Sequence, residues 1–153
     1  MRVWRLTSQR HATTAFTGIG NRKAGSRWVP EGYLAVYTSD QLSLALLETL
    51  VHIDPKHIRN NFVVIPADIP ETMDMEMLRL DSLPDNWRDR YEDSDLQAIG
   101  RDWIERGESA ALIVPSAVVP QQQNIILNPE HPDFPNIEIG TAEAFLFDRR
   151  LTY

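Results

Sequence analysis

A single carboxylate inside an otherwise apolar helix limits what this chain can fold into. Tyr33–Tyr37 (Y-L-A-V-Y) is short, aromatic at both ends and β-branched at Val36, which predicts a strand. Thr38 stands three residues before Gln41, the capping-box spacing that opens a helix. From Asp40 to Ile53, at about 100° per residue, Leu42, Leu44, Leu46, Leu47, Leu50, Val51 and Ile53 spread around most of the circumference. That pattern predicts a helix buried in a core. Gln41, Glu48 and His52 nevertheless share one narrow stripe, with the small Ala45 beside them. A carboxylate there is costly unless a partner or water reaches it. The stripe therefore predicts either a polar cleft lined by Glu48, with Ala45 leaving room for a ligand, or a plain role for the acid, as a structural ion pair or a side chain snorkelling to solvent.

The rest of the chain supplies a sheet for that helix. Val3–Leu6 reads as an opening strand with Trp4 facing a core, and His11–Arg27, with Gly18, Gly20 and Gly25, reads as a loop. Phe62–Ile69 is a second strand in which Pro66 signals an edge or bulge. Met73, Met75 and Met77 alternate as in a half-buried strand, and Leu83–Trp87 reads as a turn. Ser94 with Gln97 opens another helix, its apolar spacing runs to about Arg106, and Gly107 stops it. Ala110–Val114, Asn124–Leu127 and Ala144–Phe147 complete the strands, with Ser116 at a strand exit and a proline-rich loop over 128–135. Strands outnumber helices without βαβ alternation, so the class expected is α+β, in one domain over 1–153.

Composition removes several functions. There is no cysteine, which rules out disulfides and thiolate metal sites and is compatible with the cytoplasm. No apolar run reaches the length of a membrane span, and the first residues lack a signal-peptide core. A net charge of −7 argues against a broad nucleic-acid footprint, while leaving room for a local basic pocket. A metal centre is not expected: His52, Asp54 and His57 lack zinc-type spacing, and Pro55 interrupts the helix between the two histidines. A hydrolase triad on Ser116 with His131 is also disfavoured, because Pro115-Ser116 does not make a G-x-S-x-G elbow. Phosphate-loop glycine patterns are absent.

Arg27, Tyr37, Glu48 and Ser116 remain. An arginine fork suits a pyrophosphate, an aromatic ring suits stacking on a base, and a carboxylate suits a ribose diol or a developing cation. Each also has a plain role: Arg27 as a surface charge, Tyr37 and Trp28 as core aromatics, Ser116 as a turn residue.

Taken together, Gly25-Ser26-Arg27-Trp28, Tyr37-Thr38-Ser39, Leu44-Ala45-Leu46-Leu47-Glu48 and Val114-Pro115-Ser116-Ala117 resemble the RES domain family, named for its arginine, glutamate and serine. Asn124-x-x-Leu127-Asn128-Pro129-x-His131-Pro132-x-Phe134 and Phe147-Asp148-x-Arg150-Leu151 extend the resemblance almost to the last residue. One departure stands out. Where relatives commonly read G-R-W-N, this chain has Ser26 before the arginine and Val29 after the tryptophan.

The resemblance implies an ADP-ribosyltransferase-like fold, with mixed or antiparallel sheets and flanking helices around a central NAD cleft. It implies the toxin of a bacterial toxin–antitoxin pair, held inactive by an Xre-type helix-turn-helix antitoxin, which would also supply any DNA contact. It implies that NAD is consumed as substrate, with no further cofactor, by hydrolysis or phosphorolysis of the nicotinamide–ribose bond. A protein ADP-ribosyltransferase and a non-catalytic nucleotide-binding module are the alternatives. Carried over by position, the motif residues are Arg27, Tyr37, Glu48 and Ser116, with Trp28 and His52 as further NAD-binding candidates.

Overall fold

The computed structural model describes residues 1–54, 58 and 61–151. Its strands are β1 (Arg2–Ser8), β2 (Val36–Ser39), β3 (Phe62–Asp68), β4 (Met75–Met77), β5 (Ala111–Pro115), β6 (Gln123–Leu127), β7 (Glu138–Ile139) and β8 (Glu143–Phe145). They form one sheet in the order β4-β5-β6-β2-β1-β3-β7, with β8 also on β3. The β4–β5 pair is parallel and the other pairs are antiparallel. Its helices are α1 (Ile19–Ala24), α2 (Leu42–Leu50) and α3 (Ser94–Arg106), giving the expected α+β class.

The centre of the sheet is buried on both faces. Along β5 and β6, Ala111, Ile113, Ile125 and Leu127 enter one apolar cluster, while Leu112, Val114 and Ile126 enter another. Alternate residues of a strand point to opposite faces, so an unbroken apolar run is what a doubly covered strand requires. On the second face α3 packs through Leu96 and Trp103. Its cap is Asp93, whose Oδ1 accepts from Asp95 N and Leu96 N at 3.0 and 3.2 Å. Ser94 is thus the first helical residue rather than the cap. Gly107 ends the helix in the left-handed conformation, φ 60°. Gly100 has a second reason to be glycine: a Cβ there would meet the Trp28 carbonyl oxygen at 2.1 Å.

Other sequence expectations need correction. Thr38 does not cap α2; it lies inside β2, opposite Ile125, and its hydroxyl donates to the Ile125 carbonyl at 2.7 Å. The strand expected over Tyr33–Tyr37 in fact begins at Val36 and runs to Ser39, so the helix also starts later, with Gln41 at its N-cap making no side-chain capping bond. Nor is α2 buried all round. Leu44 and Ala45 are buried and Leu42 and Leu46 pack toward Leu6 and Val64, but Leu47 and Val51 are 39% and 59% exposed. One face meets the β1–β3 layer, and among the described residues the remainder has no second layer to cover it. The segment 11–27 is not a plain loop: it holds a 3-10 turn over Gln9–Thr14 and the short α1, both too brief to show periodicity. Pro66 sits between the two short strands that cover the outer edge of β3, where a missing N–H costs no ladder bond.

One irregularity in the sheet matters most. β1 pairs with β3 along its whole length but with β2 only at Trp4–Ser39. The two strands part beyond that pair, and the gap opens toward α2.

Candidate active site

A cleft of about 430 Å³ lies where β1 and β2 separate, bounded by α2 and the loops after α1 and β5. That size is ordinary for a small-molecule site. Glu48, Arg27, Tyr37 and His52 all reach it.

Glu48 is fixed through one oxygen. Its Oε1 accepts from the Ser116 hydroxyl at 2.7 Å and from Asn124 Nδ2 at 2.6 Å. Ser116 is fully buried, and its Oγ in turn accepts from the backbone N–H groups of Val118 and Val119 at 3.1 and 3.0 Å. Those donors fix the hydroxyl's own proton on the carboxylate. Asn124 is held by Ser39, whose hydroxyl donates to Asn124 Oδ1 at 2.7 Å across the β2–β6 ladder. Every bond to Glu48 among the described residues falls on Oε1, which leaves Oε2 available to a ligand. Three elements therefore hold the carboxylate in one orientation, and charge-assisted bonds of this length are the strong kind.

Arg27 is presented by a clamped turn. Ser26 N and Oγ both donate to the Val29 carbonyl, at 2.9 and 3.1 Å, and Gln97 Nε2 of α3 donates to the Ser26 carbonyl at 2.8 Å. The Ser26 hydroxyl also bonds the Tyr37 phenol. Asn21 of α1, buried, donates from Nδ2 to the carbonyls of Pro30 and Tyr33. The departure at Ser26 thus closes the turn. Arg27 NH1 donates to the carbonyls of Trp87 and Arg90 at 2.8 and 3.3 Å, and its guanidinium lies 5.9 and 5.3 Å from the Trp87 and Tyr91 ring centres. Burial lowers its pKa, and Tyr91 and Glu48 partly offset that. Among the described residues no ion pair joins Arg27 to Glu48, so the two charges face one cleft without neutralising each other.

The remaining candidates divide. Tyr37 lines the cleft with its hydroxyl engaged by Ser26, and burial raises its pKa. His52 is exposed at the cleft mouth, its ring 5.9 Å from that of Tyr91. Trp28 is chiefly a core residue, 3% exposed and tilted against Trp87 at 5.6 Å. Ser116 touches Glu48, and does not touch Arg27. The Ser116–His131 pairing does not form: His131 Nδ1 accepts from Asp133 N at 3.1 Å, so Nε2 carries the proton and donates to the Gly107 carbonyl at 3.1 Å. Of the His52, Asp54 and His57 group, His57, like Pro55, lies outside the described residues.

Sequence reasoning missed Asn124 and Ser39 as partners in holding the acid, Tyr91 at the mouth, and Arg5 on β1, all of which line the cleft. Asn124 follows three glutamines near the start of β6, so the local pattern does not mark it; its signal was its place at the head of the Asn124-x-x-Leu127-Asn128-Pro129 motif.

The class these features define is an α+β protein whose mostly antiparallel sheet opens into a cleft between an acid on a flanking helix and an arginine in a loop. Comparison with known proteins narrows the class. The RES domain family matches residues 2–148, and the chain belongs to that family. It is 38% identical to "Toxin Res" of Photorhabdus laumondii over 134 residues, 88% of this chain and 85% of that one. It is 34% identical to "Toxin Res" of Yersinia enterocolitica over 152 residues, 99% of each. A Sphingobium protein described as "Prs ADP-ribosylating toxin" is 28% identical over 97% of this chain and 94% of its own. The fold is similar to a chain in the crystal structure of the M. tuberculosis MbcT–MbcA toxin–antitoxin complex, with a TM-score of 0.77 and 16% identity, over 95% of this chain and 84% of that one. No helix among the described residues is long and apolar enough to cross a membrane.

Proposed function

We propose that this protein is the toxin of a toxin–antitoxin pair and that it destroys NAD in the cytoplasm by breaking the nicotinamide–ribose bond. One domain over 1–153 carries the activity, and an Xre-type antitoxin neutralises it. The observation that carries the reading is Glu48: anchored through Oε1, with no bond to Oε2 among the described residues, in one cleft with Arg27.

The chemistry suits those groups. Cleavage of the bond develops positive charge on the ribose, and nicotinamide departs neutral, so no general acid is required. A fixed carboxylate stabilises that charge more in the transition state than in the ground state, as in glycoside cleavage. Glu48 Oε2 would hold the ribose hydroxyls and face the developing cation. Arg27, with NH1 occupied by carbonyls, would offer its remaining N–H groups to the pyrophosphate. Tyr37 and His52 would pack on nicotinamide or ribose, with Trp28 supporting them from the core. Ser116 acts through Glu48 as a positioning residue.

A second reading keeps the first step and changes the acceptor to a protein; the similarity to the Sphingobium ADP-ribosylating toxin favours it. Purified protein given NAD labelled in its adenylate half, with and without inorganic phosphate, separates the two. Free ADP-ribose supports hydrolysis, its phosphorylated form supports phosphorolysis, and label on a protein band supports transfer. Intact NAD after prolonged incubation contradicts hydrolysis and phosphorolysis, and an absence of labelled protein when a cell lysate is added contradicts transfer. Growth arrest on expression, relieved by the cognate antitoxin, tests the toxin assignment.

A further inference from the structure

No step of the proposed chemistry uses the short segment on which both ends of the cleft rest. Over Trp87–Asp89 the chain makes a 3-10 turn, and the buried Trp87 ring fastens it against Trp28. The carbonyls of Trp87 and Arg90 hold Arg27 NH1. Arg88, between them in the chain, is exposed and reaches the other way: its Nε donates to the Ala117 carbonyl at 2.8 Å. Ala117 lines the cleft and follows Ser116, which holds Glu48.

That carbonyl shares its peptide unit with the Val118 N–H. In a trans peptide the two groups point in opposite directions, so a donor on the oxygen side and an acceptor on the hydrogen side hold the unit at both ends. Here the donor is Arg88 and the acceptor is Ser116 Oγ, 3.1 Å from Val118 N. The Ser116 hydroxyl donates onward to Glu48 Oε1 at 2.7 Å. A cation, an amide, a hydroxyl and a carboxylate thus form one chain of bonds, each donating toward the acid. Bonds in such a chain polarise one another. The guanidinium draws electron density from the amide, whose N–H becomes a better donor, and the hydroxyl that accepts it becomes a better donor to Glu48. A merely structural role would be to pin the turn to the loop, yet a bond made by an exposed side chain adds little to stability.

We infer that Arg88 is a positioning residue for the acid: through the 117–118 peptide and Ser116 it fixes Glu48 and strengthens the bond that orients it. The neighbouring carbonyls hold Arg27, so the segment 87–90 sets both charges of the cleft from one support. The relay stands on geometry, and only its effect on turnover rests on the NAD reading.

The test compares the parent with Arg88→Met, Arg88→Gln and Arg101→Met. Methionine keeps the stem without a donor, and glutamine places a neutral N–H donor where Arg88 Nε stands. Arg101→Met removes the same charge from an exposed position on α3. Arg88 is exposed, so both of its variants should fold with Tm little changed. In nicotinamide release by an active parent, Arg88→Met should lower kcat about threefold or more, a modest loss because Ser116 keeps its own bond to the acid. KM for NAD should stay within about twofold, because Trp87 and Arg90 still hold Arg27. Arg88→Gln should recover part of the loss. A smaller loss, a KM raised beyond that, or no recovery in Arg88→Gln overturns the inference, as does an equal loss in Arg101→Met. The second arm needs no turnover. Asn124 Nδ2 donates to the same oxygen of Glu48, so its side-chain amide signals, identified by their disappearance in Asn124→Ala, report on the acid from beyond Ser116. Arg88→Met should shift both the Val118 amide signal and those of the Asn124 side chain. A Val118 shift alone overturns the relay, since the effect then stops at the loop, and so does no shift at either. Both shifts in a protein that never releases nicotinamide would retain the relay and remove the NAD reading.

Discussion

Asn124→Ala tests whether the orientation of Glu48, and not only its presence, sets the rate. The substitution removes the 2.6 Å bond from Asn124 Nδ2 to Glu48 Oε1 and strips the Ser39 hydroxyl of its acceptor. A hydrogen bond to a charged group contributes about 1.5–3 kcal/mol, and an orphaned buried hydroxyl costs about 1–3 kcal/mol. Water reaches the cleft, so the lower ends apply, giving a total of about 2–3 kcal/mol. For a chain of this size each kcal/mol lowers Tm by roughly 2–4 °C, which predicts a fall of about 4–12 °C. Ser116 still holds Oε1, so the carboxylate is loosened rather than lost. Misplacing a catalytic group by about an ångström costs up to about 100-fold, and the predicted fall in kcat for nicotinamide release is about 10–100-fold, with KM for NAD little changed. Scanning calorimetry gives the first number and initial rates, taken well below the lowered Tm, give the second. A lowered Tm with kcat within about twofold of the parent would refute the reasoning, since it would mean that the clamp on Glu48 serves stability alone.

Other expectations follow from the same geometry. Ser116→Ala should cost more than Asn124→Ala in both stability and kcat, because it also orphans the N–H groups of Val118 and Val119; the same two assays rank them. Gly100→Ala should lower Tm despite the gain of about 1 kcal/mol in helix propensity, because its Cβ would meet the Trp28 carbonyl at 2.1 Å; thermal melts read this out directly. Tyr91, 50% exposed, can be truncated with little effect on Tm, whereas KM for NAD should rise in Tyr91→Ala and recover in Tyr91→Phe.

The elements that carry the acid and the arginine were legible because their signals are local. A strand, a helix and a lone Glu48 among leucines need only their own residues to be seen, and α3 with Gly107 is equally plain. What failed depends on partners distant in the chain. Thr38 has capping-box spacing, yet it pairs with Ile125, and the ladder decided its state. The leucines of α2 encircle the helix, but the exposure of Leu47 and Val51 depends on which layers exist to cover them. The clamp on Glu48 joins Ser39, Asn124 and Ser116, whose register no periodicity reveals. The cleft itself comes from two strands that part after one pair, and that is a property of the sheet's curl rather than of either strand.

The most direct test of the account is nicotinamide release from NAD by the unsubstituted protein and by Glu48→Gln. The amide keeps the size of the side chain and an oxygen that can still accept from Ser116 and Asn124, so the fold should survive. Loss of the charge facing the ribose should lower the rate at least about 100-fold. Release by a folded Glu48→Gln protein at the parent rate, or none by the parent itself, would contradict it.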